Sequence, residues 1–161
     1  YVTHDQEEAL AISDKVIVMN NAIIAQQGTP KDLYNNPQTT FVANFIGDSN
    51  VVSAKIENKN GNFYNFILGD IRIKISSTYD LKDTASIAIR PEKITIEKNN
   101  MNNTIQTKII SASYVGNYYQ YVVSSTVGEL FVISNETINN YQVNDEVFLK
   151  FEESGITVLK D

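Results

Sequence analysis

Residues 63–75 read Phe-Tyr-Asn-Phe-Ile-Leu-Gly-Asp-Ile-Arg-Ile-Lys-Ile, and this stretch decides the fold class of most of the chain. In residues 71–75, apolar and charged side chains alternate with period two, which is typical of a strand with one buried face. Gly69-Asp70 is a two-residue signal for a hairpin turn. We therefore predict two antiparallel strands, at 63–68 and 71–75, joined by a tight turn.

The same period-two pattern continues on both sides of this hairpin, from residue 51 to the end of the chain. Gly, Asn and Asp residues separate the runs, with Asn60-Gly61 as a second hairpin turn and Met101-Asn102-Asn103 as a polar loop. The runs are 51–56, 63–68, 71–75, 86–90, 94–97, 105–114, 119–125, 129–133, 147–152 and 156–159. About ten short strands indicate a mainly β fold, and we predict a small OB-like barrel.

Residues 1–48 have a different character, because helical signals dominate there. Thr3 and Gln6 have the spacing of a capping box, and acidic residues crowd the next turn, so we predict a helix from Asp5 to Ser13. Tyr1 and Val2 are interpreted as the end of a buried strand that precedes this helix.

Two short strands and two further helices are predicted after the first helix. The strands cover 15–19 and 22–28 and are joined by an Asn20-Asn21 turn. Thr29-Pro30 is a preferred helix start, and Asn36-Pro37 repeats it before a helix at 39–46 that ends at Gly47. Four apolar residues of that last helix are expected to face a core: Phe41, Val42, Phe45 and Ile46.

Composition narrows the class of protein. The 161 residues have a formal net charge of −6, with 13 basic residues scattered along the chain, which argues against a generic nucleic-acid surface. No apolar run approaches the length of a membrane span. Cysteine is absent, which excludes disulfides and thiolate metal sites and fits a reducing compartment.

His4 is the only histidine, and it is the candidate functional residue. Its predicted position, between a strand and a helix start, places an imidazole beside free backbone amides. Such a group can donate a hydrogen bond to a negatively charged ligand. The simpler interpretation is a solvated histidine at a helix cap. No metal site is predicted.

Tyr1 to Leu10 resembles the switch-histidine segment of ABC transporter ATPase subunits. The resemblance continues in register to about residue 48 through Gly28-Thr29-Pro30, Tyr34, Pro37, Phe41-Val42-Ala43 and Phe45-Ile46-Gly47. It implies that residues 1–48 are the C-terminal end of an ABC ATPase domain. It also implies that His4 contacts the γ-phosphate of ATP and helps to orient the attacking water.

The second part of the chain resembles the regulatory domain called TOBE. Arg90-Pro91-Glu92 is similar to its Arg-Pro-Glu motif, and Tyr114-Val115-Gly116-Asn117 to its second repeat. Residues 49–161 are therefore expected to form a TOBE or OB-like domain. We interpret Arg90-Pro91-Glu92 as a structural corner in which Arg90 and Glu92 are close enough in sequence to pair across the turn at the surface. Contact of this corner with a partner is the alternative. The tyrosines at 114, 118, 119 and 121 are expected to pack across strands rather than to stack on bases.

The family resemblance implies the ATP-hydrolysing subunit of an importer, with ATP and Mg as cofactors of the complete protein. The seven glycines form no Gly-x-x-x-x-Gly-Lys-Ser/Thr loop, so these residues alone are expected neither to bind a cofactor nor to hydrolyse ATP. The segment Phe45-Ile46-Gly47-Asp48-Ser49-Asn50 is most similar to spermidine/putrescine importers. The alternatives are a sugar, iron or oxyanion importer, or a free-standing OB-type ligand or interaction module.

The expected partners also follow from the resemblance. They are a second copy of the subunit, membrane permease subunits, a separate substrate-binding protein, and a small regulatory ligand. The ligand would bind the domain formed by residues 49–161, called the β-domain below. No nucleic acid is expected. Attachment to the permeases would place the protein at the cytoplasmic face of the cell membrane.

Overall fold

The computed structural model describes residues 1–138 and 140–160. The first part of the chain contains α1 (Gln6–Ile12), β1 (Val16–Asn20), β2 (Ile23–Gly28), α2 (Pro30–Asn35) and α3 (Thr40–Phe45). Strands then follow one another to the end: β3 (Asn50–Asn60), β4 (Phe63–Leu68), β5 (Ile71–Ser76), β6 (Thr84–Ile89), β7 (Ile94–Glu97), β8 (Ile105–Tyr114), β9 (Tyr119–Ser125), β10 (Gly128–Ser134), β11 (Glu146–Phe151) and β12 (Ile156–Val158). Single 3₁₀ turns occur at Pro91–Lys93 and Glu153–Gly155.

The strands after residue 49 form two antiparallel five-stranded sheets. Their orders are β12-β6-β3-β4-β5 and β10-β9-β8-β11-β7, and the two sheets face each other as half-barrels around a shared core. The predicted mainly β, OB-like fold is confirmed. All ten predicted strands are present, and those at 63–68, 94–97, 105–114 and 119–125 have the predicted bounds.

The core lies where it does because buried and exposed side chains alternate along the strands. In β5 the buried and exposed residues alternate without a break, so that Ile71, Ile73 and Ile75 point inward. The largest fully buried side chains are Tyr64, Phe66 and Tyr121, at 0–1% exposure. Burial of such side chains supplies most of the favourable free energy of a β fold, about 1.5 to 3 kcal/mol for each.

Two asparagine side chains complete the sheets by imitating backbone groups. Asn50, at the start of β3, donates to the carbonyl oxygen of Phe131 at 2.7 Å and accepts from the Phe131 amide at 2.7 Å, which links the two sheets. Asn103, in the predicted polar loop, bonds the amide and carbonyl of Arg72 in the same way, both at 3.0 Å. Because β5 is an edge strand, the Asn103 side chain occupies backbone groups that no strand covers.

A smaller apolar cluster lies in the first part of the chain. Val18, Leu33, Val42 and Ile46 form its buried centre. The predicted inward face of α3 is thus confirmed for Val42 and Ile46, whereas Phe45 is 41% exposed and stacks on Phe41 with a centroid distance of 5.7 Å. On the other side of α3, Ala43 packs against Ala88 and Leu159, which joins this part to the β sheet.

Three predictions for the first part of the chain need correction. Asp5, not Thr3, caps α1, because its Oδ1 accepts from the Glu8 amide at 3.0 Å. Tyr1 and Val2 are 89% and 98% exposed and lie in no strand. Asn36-Pro37 does not start a helix, since Thr39 is the N-cap of α3; the predicted Thr29-Pro30 start of α2 is confirmed.

The hairpin between β1 and β2 turns one residue later than predicted. Asn20 pairs with Ile23, so the turn residues are Asn21 and Ala22, with φ of 49° and 62°. Two consecutive residues with positive φ are typical of a type I′ turn, which favours glycine at the second position. Ala22 therefore occupies a conformation in which its Cβ is crowded.

We expect Ala22→Gly to stabilise the chain by about 0.5 to 1 kcal/mol, because glycine removes the Cβ from a left-handed position. The measurement is the free energy of unfolding in urea. Ala11→Gly is the matched control, since Ala11 is exposed in α1, and we expect it to destabilise by up to about 1 kcal/mol. Equal losses for both variants would contradict the assignment of strain to Ala22.

Candidate functional site

His4 lies in an irregular turn directly before α1, and its side chain is exposed. Within the described part of the chain, the imidazole makes no hydrogen bond or ion pair. The backbone beside it is well held: Thr3 Oγ1 accepts from the Asp5 amide at 3.0 Å, and the Tyr1 hydroxyl donates to Glu8 Oε2 at 2.8 Å. The turn is thus ordered by its neighbours, while the ring of His4 is free to bind another group.

A cavity of about 520 Å³ opens beside His4. One side of the cavity is formed by the His4 turn, and much of the rest is apolar, with Val16, Val18 and Ile46 among the lining side chains. Two further lining residues, Ile17 and Met19, are 52% and 57% exposed. The exposed His4 is therefore placed at the edge of an apolar surface.

Gln6 connects the His4 turn to the segment that follows α3. Its Oε1 accepts from the Gly47 amide at 3.1 Å. The predicted capping box assigned Gln6 to the Thr3 amide instead, and that contact is replaced by this long-range one. Gly47 has φ of 100°, a conformation that glycine adopts readily at the end of a helix.

Arg90 approaches the same segment from the β sheet and is only 6% exposed. Its Nη1 donates to the Ile46 carbonyl and to Ser49 Oγ, each at 2.7 Å. Its Nη2 donates to the Tyr34 carbonyl, and the guanidinium lies 3.9 Å above the Tyr34 ring. The buried cation is therefore held by neutral oxygens at the C-terminal ends of α2 and α3, where the helix dipoles favour positive charge.

The prediction that Arg90 pairs with Glu92 at the surface is wrong. The Glu92 carboxylate instead accepts from the Tyr34 hydroxyl at 2.7 Å. Burial lowers the pKa of Arg90 from its ordinary value. Burial, followed by the hydrogen bond to Glu92, raises the pKa of Tyr34 to about 12. Arg90-Pro91-Glu92 is a structural corner that binds α2 and the segment after α3.

The predicted cross-strand packing of tyrosines is found for one pair, Tyr114 of β8 and Tyr119 of β9. Tyr114 is directly opposite Tyr119, with ring centroids 4.9 Å apart, and Tyr119 stacks on Tyr121 at 5.6 Å. Tyr121 is fully buried and its hydroxyl accepts from the Tyr141 amide at 3.2 Å. Tyr118 takes no part in these ring contacts. Tyr121 belongs to the core and Tyr119 packs against it, whereas Tyr114 is 58% exposed.

Two kinds of site are absent from residues 1–138 and 140–160. No group of three or more His, Cys, Asp or Glu side chains there is arranged to hold a metal ion. The helices in the same residues are too short or too polar to cross a lipid bilayer.

Comparison with known proteins gives a consistent result along the whole chain. Residues 87–159 match the TOBE domain. The chain is 35% identical over 159 residues to the Fe(3+) ions import ATP-binding protein FbpC of Agrobacterium fabrum, covering 99% of the chain and 45% of that relative. It is 36% identical over 167 residues to the spermidine/putrescine import ATP-binding protein PotA of Mycoplasma mycoides, covering 98% of the chain and 44% of that relative.

The chain thus spans less than half the length of these relatives. Among solved structures, it is similar to the molybdate-bound form of the cytoplasmic molybdate-binding protein ModG, with a TM-score of 0.56 and 6% identity. That match covers 68% of this chain and 94% of the other. At such low identity, it shows a shared fold alone.

Gly47→Ala is expected to destabilise the chain by about 2 kcal/mol or more, because a Cβ at Gly47 would lie 2.7 Å from the Tyr34 ring and 2.9 Å from Arg90 Nη1. The matched control is Gly116→Ala: Gly116 has nearly the same φ, of 97°, but a Cβ added there would have no atom within 4 Å. We expect a loss of about 1 kcal/mol for that variant. Urea unfolding of both variants measures the difference, and equal losses would contradict the packing argument.

The raised pKa of Tyr34 predicts a pH dependence of stability. In the folded chain Tyr34 keeps its proton up to about pH 12, whereas in the unfolded chain it loses it at about pH 10. The folded chain binds more protons in that window, so the free energy of unfolding falls as the pH rises from about 10 to about 12. Denaturant unfolding across this range should show a smaller fall for Tyr34→Phe than for the wild type. An identical fall would refute the assignment.

Proposed function

The chain corresponds to the C-terminal part of the ATP-binding subunits of ABC importers, and on this premise we propose that it belongs to the ATP-hydrolysing subunit of a polyamine importer. The observation that supports this most strongly is the match of 98–99% of the chain to such subunits, because it includes both the His4 turn and the β sheets. A free-standing OB-type module would match only through the β part.

His4 is the residue to which we assign a direct role in hydrolysis. Its ring is exposed, has no bonding partner in the described residues and lies on an ordered turn at the edge of a cavity. From that position, the ring N–H donates a hydrogen bond to the γ-phosphate of ATP and helps to orient water. Such a bond to a charged group contributes about 1.5 to 3 kcal/mol.

The rest of the catalytic machinery is assigned to the complete subunit. Residues 1–161 contain no phosphate-binding loop motif, and the described residues offer no metal-binding cluster. Binding of ATP and Mg therefore needs residues outside this chain, and the chain alone does not hydrolyse ATP. Residues 1–48 are the end of the ATPase domain in this proposal, and residues 49–161 are the regulatory domain.

Polyamines are the proposed substrate class for two reasons. The junction Phe45-Ile46-Gly47-Asp48-Ser49-Asn50 resembles that of spermidine/putrescine subunits, and the identity to the Mycoplasma mycoides relative is 36%. Iron is the second candidate, because the identity to the Agrobacterium fabrum relative is 35% and covers as much of the chain. Sequence similarity does not separate these two.

The proposal includes the usual partners of an importer. Two copies of the subunit would bind ATP between them and act on permease subunits at the cytoplasmic face of the cell membrane. A separate substrate-binding protein would deliver the polyamine. The β-domain would connect the two copies and accept a small regulatory ligand.

The first test replaces His4 in the complete subunit. We expect His4→Ala to retain ATP binding and to lose ATP hydrolysis by a factor of about ten or more, because one hydrogen bond to the reacting phosphate is absent. Asp14→Ala is a control at an exposed residue of the segment after α1. Hydrolysis by His4→Ala at the wild-type rate would refute the role of His4.

The second test distinguishes the substrates. Uptake of labelled spermidine, putrescine and iron(III) is measured in cells that lack the complete gene and in cells that carry it again. We expect the gene to restore polyamine uptake and not iron uptake. Restored iron uptake with unchanged polyamine uptake would select the iron importer, and no change in either would direct the search to sugars and oxyanions.

A further inference from the structure

One peptide group is bonded from both sides by side chains of the two parts of the chain. This is the group between Ile46 and Gly47. Its carbonyl oxygen accepts from Arg90 Nη1 at 2.7 Å, and its amide donates to Gln6 Oε1 at 3.1 Å. Arg90 follows strand β6 of the β-domain, whereas Gln6 is the first residue of α1. The peptide group is therefore a direct link between the β-domain and the helix that carries the His4 turn.

The link is stiff. A peptide group is planar, so any rotation moves its carbonyl and its amide together and weakens both hydrogen bonds at once. The two bonds also polarise the same amide in the same direction, which strengthens each of them. Arg90 is fixed in turn by Ser49 Oγ, by the Tyr34 carbonyl and by the Tyr34 ring.

The link ends at the proposed site. Gln6 is two residues from His4, and Ile46 lines the same cavity as His4. A shift of the Ile46–Gly47 peptide would therefore act on the His4 turn in two ways, through the Gln6 side chain and through the wall of the cavity. A displacement of about 1 Å at a reacting group is enough to slow an enzyme-catalysed step.

We propose that Gln6 and Arg90 are positioning residues for His4, joined through the Ile46–Gly47 peptide, so that the β-domain sets the rate of ATP hydrolysis through this link. The inference rests on the proposed role of His4 in hydrolysis. Neither Gln6 nor Arg90 touches the reacting atoms in this mechanism. A movement of the β-domain that releases Arg90 would rotate the peptide, free Gln6 and displace His4.

The test uses steady-state ATP hydrolysis by the complete subunit. We expect Gln6→Ala to lower kcat about fivefold, the effect of one neutral hydrogen bond, with KM for ATP unchanged. Gln6→Glu keeps an acceptor oxygen for the Gly47 amide and is expected to retain most of the wild-type kcat. Arg90→Lys keeps the charge but loses the planar fork, and is expected to lower kcat as well.

A double variant shows whether Gln6 and Arg90 affect kcat through one link or independently of each other. The double variant Gln6→Ala/Arg90→Lys should hydrolyse ATP no more slowly than the slower single variant, because both changes break the same link. If Arg90→Lys does not fold, Ser49→Ala replaces it in the cycle, since it removes one acceptor of Arg90. Gln26→Ala is the control: Gln26 is a more deeply buried glutamine and makes two hydrogen bonds, at 3.0 and 2.9 Å, away from the His4 turn. It should lower stability and leave kcat unchanged.

Wild-type kcat for Gln6→Ala, or losses that multiply in the double variant, would overturn the inference. A fall in kcat for Gln26→Ala equal to that for Gln6→Ala would also overturn it, because stability alone would then explain the effect. His4→Ala is measured in parallel. If that variant is inactive while Gln6→Ala is normal, only the link fails; if His4→Ala is fully active, the proposed function fails and the link with it.

Discussion

A buried guanidinium needs an acceptor for each of its N–H groups, and this requirement organises the centre of the molecule. Arg90 is almost fully enclosed, and the oxygens around it come from the end of α2, the end of α3 and the start of the segment that leads into β3. Removing the acceptors would leave a charge uncompensated in the interior, which costs several kcal/mol. The ends of both helices are therefore fixed relative to the β sheet by one side chain.

The other contacts between the two parts of the chain support the same arrangement. Ala43 of α3 packs against Ala88 and Leu159, and Thr157 of β12 donates to the Asn35 carbonyl at 2.9 Å. The last strand thus reaches back to the connection between α2 and α3. Small side chains at this interface, Ala43 and Ala88, allow the helix to lie close to the sheet.

The strands and most turns could be predicted from the sequence, because alternation and turn residues are local signals. The predictions were wrong where two nearby residues can both cap the same helix, or where the hydrogen-bond partner is far away in the sequence. Thr3 and Asp5 are both good helix caps, and the side chain that meets the Glu8 amide is Asp5. Arg90 and Glu92 are near in sequence, but each finds a better partner in α2, 56 and 58 residues away. For Gln6, the capping pattern concealed a bond to Gly47 that has no sequence signature.

The Asn103 side chain limits how the exposed edge of strand β5 can pair with another molecule. It satisfies the amide and carbonyl of Arg72, the backbone groups that an exposed edge strand would otherwise present to another molecule. Arg72 itself is charged and bonded to Glu57. A second strand cannot add to β5 at this point without displacing the asparagine, so the loop from Met101 to Asn103 protects the sheet edge against self-association and the growth of aggregates.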